Sequence, residues 1–265
     1  MKLKNDEELT AFIKDADLIL IGIGEEWGIS FEEMIKVPSF ISRFQKLKTE
    51  QDRERFVPYL QREYLKECRN AELERAYQKL LSLIEDKDYF LISMNKDRFP
   101  VQIGYKEDRC VFPCGGYEYL QCDKGCSGEL VEASGIADNI YQKICGGEDA
   151  EKIEIPRCRD CGSPLVFNNI EAEKYVEAGY FESWDKYMKW LQKTVNKKLC
   201  LLELGVGLRF PSVIRWPFEK TTFYNQKSKM FRIHHNLSQS AENIQDRCYS
   251  KEEDSVTYMA NLFVS

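Results

Sequence analysis

The chain has 265 residues, a net charge of −6, 43% hydrophobic residues and 31% charged residues. This length allows one large domain or one domain with an insertion, and this composition excludes an intrinsically disordered chain. Since the charge balance is acidic and no stretch is dense in lysine and arginine, we do not expect a nucleic acid as partner.

The N-terminal residues 1–16 are charged and lack the apolar segment of a secretory signal peptide, so we expect no such peptide there. No apolar run approaches the roughly 18 residues that cross a bilayer, so no membrane partner is predicted. Both observations favour a reducing cytoplasm. In that compartment the ten cysteines indicate metal binding before disulfide bonds.

Four short apolar runs predict strands that are buried on both faces, as in a parallel sheet. They cover residues 17–22, 89–92, 199–204 and 230–233. The helical spacing of apolar residues predicts helices over 9–16, 31–47 with a break at Pro38, 56–84, 184–191 and 254–263. Ser183 precedes the fourth helix and is predicted to cap it. Strands that alternate with helices indicate an α/β fold with a Rossmann-like parallel sheet.

Residues 104–169 interrupt this alternation, because they are rich in glycine, cysteine and turn residues and have weak periodicity. We interpret them as an insertion with its own organisation. The predicted division is a Rossmann-like nucleotide-binding part, residues 1–103 and 172–265, and a small zinc-binding module, residues 104–171.

Four cysteines of the insertion have the spacing of a zinc site. Cys122 and Cys126 form one pair, and Cys158 and Cys161 form a second pair that is followed by a glycine. Two such pairs supply four sulfur ligands in a tetrahedron and leave no open position, so the predicted zinc is structural. The alternatives are free or disulfide-bonded cysteines, or a ligand taken from the other cysteines of the region, Cys110, Cys114 and Cys145.

Two glycine turns follow predicted strands, where backbone N–H groups can approach a dinucleotide pyrophosphate. Gly22 and Gly24 end the first strand, and Gly205 and Gly207 end a later one. Glu25 and Glu26 follow the first turn, and two carboxylates beside a pyrophosphate would repel it. Either these carboxylates point away, or this loop does not bind phosphate in the usual way.

Two polar residues follow the second predicted strand. Asn95 and Asp97 are two positions apart, so both can face a ligand at the carboxyl end of the sheet, although a turn would also accommodate them.

These features, in this order, resemble the sirtuins, and the resemblance covers nearly the whole chain. It is carried by Lys87 to Asn95, Gly115 to Cys122, Ile155 to Cys158, and Glu203 to Gly207 followed by Pro211, Ile214, Pro217 and Phe218. The chain is most similar to the macrodomain-linked (class M) sirtuins of microbes. The resemblance implies sirtuin topology and the use of NAD. Most sirtuins remove acyl groups from lysine, and class M implies protein ADP-ribosyl transfer beside a macrodomain protein and a lipoyl carrier protein.

The resemblance also implies roles for single residues. Asn95 and Asp97 would orient the nicotinamide ribose and amide, and the glycines at 22, 24, 205 and 207 would meet the dinucleotide. His234 lies near the position of an asparagine that touches the adenosine ribose. Cys114 stands where deacylases have a catalytic histidine and class M has a glutamine.

Several positions depart from the sirtuin pattern. The family motif Gly-Ala-Gly-x-Ser is Gly22 to Glu26 here, Met94 replaces a glutamine, and Cys114 replaces the base. Trp27 could fill the cofactor cleft. We therefore expect an NAD-dependent protein ADP-ribosyltransferase or deacylase; NAD hydrolase activity differs only in using water as the acceptor. The alternative is a catalytically degenerate sirtuin-fold module that binds a nucleotide or a protein.

Overall fold

The computed structural model describes residues 6–67 and 70–262, and these residues form two compact units. The first unit takes the described residues up to Gly28, Asn70–Pro113 and those from Tyr180 onward. The second unit takes the described residues of Ile29–Arg69 and Cys114–Gly179. The predicted zinc-binding module, 104–171, falls mostly within the second unit, which also contains the chain around 29–67.

The strands are β1 (Leu18–Ile23), β2 (Asp88–Ser93), β3 (Cys110–Val111), β4 (Gly115–Cys122), β5 (Leu130–Glu132), β6 (Leu165–Asn169), β7 (Leu199–Leu204), β8 (Lys229–His234) and β9 (Cys248–Glu252). The α-helices are α1 (Asp6–Asp15), α2 (Pro38–Phe44), α3 (Glu50–Glu67), α4 (Ala71–Ile84), α5 (Phe99–Ile103), α6 (Ser134–Gly146), α7 (Phe181–Gln192), α8 (Arg215–Tyr224) and α9 (Ser255–Asn261). No helix in the described ranges is long and apolar enough to span a bilayer.

The first unit is built on a parallel sheet with strand order β3-β2-β1-β7-β8-β9. All residues of β1 and β7 are buried, as expected for strands covered by helices on both faces. The four predicted strands are confirmed as β1, β2, β7 and β8. The alignment of Ile23 with Ser93 and with Leu204 brings the carboxyl ends of the central strands to one edge.

Two helix predictions need correction. The predicted helix over 56–84 is two helices, because Asn70 caps the start of the second one. Its side chain accepts hydrogen bonds from Glu72 N and Leu73 N, both at 3.1 Å. Ser183 is not an N-cap. Tyr180 holds that position, and the Ser183 hydroxyl donates to the Tyr180 carbonyl at 2.8 Å.

The other helices follow the sequence more closely. Pro38 begins α2, so the predicted break is confirmed, but the chain before it forms only a 3-10 helix, Met34–Lys36, in place of the predicted α-helix. Asp254 caps α9 by accepting from Thr257 N at 2.8 Å, whereas Phe263, the predicted last residue of this helix, lies outside the described residues. In the first unit, α5, α8, β3 and β9 were not predicted; β3 and β9 lie at the sheet edges.

The second unit contains an antiparallel sheet with strand order β5-β4-β6 and its own apolar core. Phe167 on β6 packs between Tyr59 and Tyr117, with ring centroids 4.9 Å and 5.1 Å away. Helix α3 joins α6 through Arg62 and Asp138, whose side-chain atoms are 2.6 Å apart. The unit therefore has packed strands and helices in a region where weak periodicity indicated an insertion but not its elements.

Candidate functional site

The two glycine turns of the first unit touch each other at the carboxyl edge of the sheet. Gly24 N donates to Leu204 O, and Gly205 N donates to Ile233 O, each at 2.9 Å. A Cβ on Gly24 would lie 2.1 Å from the Gly205 carbonyl oxygen, so no larger residue fits there. Gly205 itself has φ +64°, a conformation that favours glycine.

Gly22 has a different reason for being glycine. It lies inside β1 and not in the turn, and a Cβ there would lie 2.4 Å from the Ile214 side chain. The turn leads into a three-residue 3-10 helix, Glu25–Trp27, and not into an α-helix. The expected α-helix N-terminus for a pyrophosphate is therefore absent from this described loop.

The carboxylate of Glu26 points into the protein and is 7% exposed. Its oxygens accept from the backbone N–H of His235 and of Ser255, both at 2.9 Å, and from the Ser255 hydroxyl. His235 Nδ1 is a further close partner. Burial raises the pKa of Glu26, but these hydrogen bonds outweigh it, so the pKa lies below the ordinary value.

Glu25 behaves differently from its neighbour, because its side chain is exposed. Its Oε2 accepts from Gly207 N at 2.8 Å. That N–H is one that the second glycine turn would offer to a phosphate. In this arrangement the turn does not fit a pyrophosphate, since a carboxylate already uses the donor.

Trp27 is buried in the core of the first unit. It is 0% exposed, its indole N–H donates to the Ser255 hydroxyl at 2.9 Å, and its ring meets Tyr77 edge-on with centroids 4.6 Å apart. The suggestion that Trp27 fills the cofactor cleft stays a prediction.

Asn95 and Asp97 are both 7% exposed after the end of β2. The Asn95 side chain donates to the Gly24 carbonyl at 3.0 Å, so it touches the first glycine turn. Asp97 accepts from Phe99 N at 3.0 Å and so holds the start of α5. Asn95 and Gly24 are far apart in the sequence. The parallel pairing of β1 with β2 brings them together.

His234 is 5% exposed, and burial lowers the pKa of its imidazole. Its Nδ1 accepts from Asn236 N and Leu237 N, both at 3.1 Å, so that nitrogen carries no proton. The contact between this nitrogen and Glu26, at 3.4 Å, is therefore not an ion pair. The role of His234 toward an adenosine ribose stays a prediction.

A buried ion network lies below the second glycine turn and was not predicted from the sequence. Arg232 donates to both oxygens of Glu203, from Nε at 2.7 Å and from Nη2 at 3.0 Å. Arg215 contacts Glu203 at 3.3 Å and donates to the Val206 carbonyl at 3.0 Å. Glu203 and Arg232 are each 1% exposed, so this ion pair stabilises the second glycine turn from inside the protein.

In the second unit, Cys122, Cys126, Cys158 and Cys161 place their sulfur atoms within 4.8 Å of one another. The pairs Cys122–Cys161 and Cys126–Cys158 have Sγ atoms 3.4 Å apart. Hydrogen bonds from Ser163 lower the pKa of Cys161 to about 6, which favours the thiolate that binds metal. The donor set and its spacing fit a tetrahedral structural zinc ion.

The other cysteines of the region stand apart from this cluster. Cys110, Cys114 and Cys145 are not among the clustered sulfurs of the described residues. Cys114 is 3% exposed, and its carbonyl accepts from Ile170 N at 3.1 Å. Its catalytic role stays a prediction.

Known proteins resemble this chain in sequence and in fold, although no family model matches it. A protein ADP-ribosyltransferase of Staphylococcus aureus is 24% identical over 96% of this chain and 85% of its own. A probable bifunctional ADP-ribose hydrolase/ADP-ribosyltransferase of Fusarium oxysporum f. sp. cubense is 30% identical over 59% of this chain and 28% of its own length.

Solved structures of Sir2 enzymes, the sirtuins, match over nearly the whole chain. One has a TM-score of 0.56 at 15% identity, over 97% of this chain and 96% of the other. A Sir2 bound to an acetylated peptide has a TM-score of 0.53 at 15% identity, over 98% of both chains.

The chain has the sirtuin fold. The predicted α/β class and sirtuin topology are confirmed, and the four predicted cysteines form a cluster that can hold a metal ion.

The zinc site predicts a metal content and a stability change. We expect the purified sirtuin-fold chain to hold one zinc ion, measured by mass spectrometry of the metal, and Cys161→Ser to lose most of it. Because structural zinc supplies folding free energy, a loss of about 4 kcal/mol would lower the melting temperature by roughly 10 °C. Cys145→Ser, outside the cluster, should keep both. If the protein is purified under reducing conditions and contains no metal, the assignment of the four cysteines as a zinc site is contradicted.

Glu26 predicts a stability that depends on pH. We expect Glu26→Gln to reduce the free energy of unfolding by about 1–3 kcal/mol at neutral pH, since an amide cannot replace a carboxylate that accepts from three donors. Because folding lowers the pKa of Glu26, its contribution is complete above the ordinary value of 4.5 and is lost as the pH falls through the folded value.

Urea unfolding at neutral and acidic pH measures this effect. The difference between wild type and Glu26→Gln should shrink below pH 4.5. Glu25→Gln, with the same change of charge at an exposed neighbour, serves as control and should lose less stability. A difference that stays constant with pH would show that Glu26 is not held as described.

Proposed function

We propose that the chain is a sirtuin-like, NAD-dependent protein ADP-ribosyltransferase. The observation that carries this proposal is the retained pair Asn95 and Asp97, buried at the carboxyl edge of the sheet with Asn95 bonded to the turn at Gly24. The two relatives named as ADP-ribosyltransferases support transfer over deacylation. In such a transfer the acceptor side chain is itself the nucleophile, so the absence of a histidine at Cys114 matters less.

NAD would be the cofactor, and zinc would have a structural role only. Asn95, Asp97 and the backbone of the two glycine turns are the groups proposed to hold the nicotinamide end and the phosphates, with His234 near the adenosine ribose. The acceptor would be a protein, with a carrier protein as the class M expectation and a macrodomain protein as a possible companion. The cytoplasmic location stays a prediction.

The Glu25 contact requires one movement before NAD can bind in this way. The side chain is exposed and accepts one hydrogen bond, so releasing it from Gly207 N would cost about 1 kcal/mol. Glu25 therefore changes the first glycine turn, but its side chain can move aside for NAD.

The second candidate is a degenerate sirtuin-fold module that binds a protein or a nucleotide without turnover. Glu25 on Gly207 N favours this reading, because it occupies a donor and places negative charge beside the turn. The burial of Cys114 favours it as well.

Calorimetric titration of NAD and ADP-ribose into the zinc-loaded protein tests the proposed cofactor site, and a label-transfer assay then separates an enzyme from a module that binds a nucleotide without turnover. If the chain is an NAD-dependent enzyme, NAD should bind with micromolar affinity, a binding free energy on the order of −8 kcal/mol. Asp97→Asn should bind NAD approximately tenfold more weakly. This variant keeps an oxygen for Phe99 N, so it should fold. Asp86→Asn makes the same charge change at the opposite, exposed end of β2 and should bind as wild type does.

Protein that binds would then be incubated with labelled NAD and candidate acceptors. Label bound to protein after denaturation supports transfer, whereas free ADP-ribose alone indicates hydrolysis. Absence of any heat up to millimolar NAD and ADP-ribose, with zinc confirmed, would rule out the enzyme reading and leave the binding module.

Glu25 gives a separate prediction about affinity. Removing its side chain frees Gly207 N and removes a charge that repels phosphate, so we expect Glu25→Ala to bind ADP-ribose roughly tenfold more tightly. Glu25→Gln, which keeps an acceptor but not the charge, should gain less. Glu85→Ala, at an exposed position before β2, is the control and should change nothing. Weaker binding by Glu25→Ala would mean that Glu25 supports the ligand.

A further inference from the structure

The second unit contains a large groove that the proposed chemistry does not use. Its volume is about 1390 Å³, and it is lined by the first half of α3, by residues 151–157, and by β6 with the residues that follow it. All of these lining residues belong to one compact unit. Small-molecule sites have volumes of about 300–1,000 Å³, so this groove is larger than such a ligand needs.

The inner surface of the groove is apolar and built on the core of the unit. Tyr59, Ile153, Leu165 and Phe167 line it and are 7% exposed or less. Prolines border this surface at 58, 156 and 164, and a proline ring adds apolar area without an N–H donor. A ligand that lies in the groove therefore meets apolar side chains at its inner surface.

Acidic side chains dominate the outer part of the groove. The carboxylate residues that line it are Glu54, Asp123, Glu151, Glu154, Glu171 and Glu173. Within the described chain, Glu54, Glu151, Glu154 and Glu173 form no salt bridge and are exposed. Their charges are therefore available to a cationic ligand.

Two arginines also line the groove, and each is engaged within the unit. Arg55 donates to the Ile153 carbonyl at 3.4 Å, and Arg157 donates to the Gly162 carbonyl at 2.9 Å. Two engaged guanidiniums do not neutralise six carboxylates, so the groove is negative overall. The groove combines an acidic rim with an apolar interior. Such a surface favours a ligand that carries both positive charges and apolar groups.

We propose that this groove binds a basic linear segment of a partner protein, in which single apolar side chains lie between lysines or arginines. The apolar side chains would enter the groove, and the cations would meet the carboxylates at 54, 151, 154 and 173. The proposal does not depend on NAD, so it can hold for the transferase or for the degenerate module.

The probe is a fluorescein-labelled peptide in which single leucines alternate with pairs of lysines, titrated with the full-length zinc-loaded chain without NAD. Fluorescence anisotropy measures the dissociation constant. The groove variant is Glu151→Gln with Glu154→Gln. The matched control is Glu32→Gln with Glu129→Gln, which makes the same change of charge at exposed positions of the same unit outside the groove.

We expect the groove variant to bind about tenfold more weakly and the control to bind as wild type does. A second peptide with glycine in place of each leucine should also bind about tenfold more weakly, because it cannot use the apolar surface. Circular dichroism and zinc content confirm that each variant is folded.

Three results would overturn the proposal. Equal weakening in both double variants would show attraction by net charge alone. Equal binding of the leucine and glycine peptides would exclude the apolar groove. Absence of binding to wild type at low salt would exclude a basic segment altogether. Because NAD is absent from every titration, none of these results depends on the proposed enzyme activity.

Discussion

The carboxylate of Glu26 is the interaction on which the carboxyl edge of the parallel sheet depends. A buried carboxylate without partners is strongly unfavourable, so its donors must stay in place once the chain has folded around it. Those donors come from the end of β8 at His235 and from the start of α9 at Ser255. One side chain thereby joins the loop after β1 to two segments that are distant in sequence. It also packs against Gly205, where a Cβ would lie 2.5 Å from its own.

The two adjacent glutamates change the sirtuin pattern in different ways. Glu26 stands at the position of the serine in Gly-Ala-Gly-x-Ser and has become part of the protein interior. Glu25 remains at the surface and uses a single donor, Gly207 N. The Glu26 carboxylate is held by buried donors, whereas the Glu25 side chain can leave Gly207 N by rotation at the surface. This difference is why the altered motif is compatible with a cofactor site and does not by itself establish decay.

The parts of the structure that were predictable are those that local pattern determines. Strands buried on both faces give unbroken apolar runs, and zinc pairs give short cysteine spacings, so both could be read directly. The pairing of Glu203 with Arg232 could not, since it depends on strand register. The helix break at Asn70 was missed because the apolar period continues across it. The inward direction of Glu26 and the burial of Trp27 also follow from tertiary packing, which no local pattern shows.

The second unit has its own apolar core and its own candidate metal site. The proposed peptide groove belongs to this unit, whereas the groups proposed to bind NAD belong to the first unit. The core residues of the second unit, among them Phe167 and Tyr59, also form the inner surface of the acidic groove, so the groove persists wherever the unit folds. The four cysteines of the same unit form a cluster that fits a stabilising metal ion. Changes at Glu25 or Glu26 lie in the first unit and leave these groups untouched. Binding of the proposed basic segment therefore does not depend on NAD turnover.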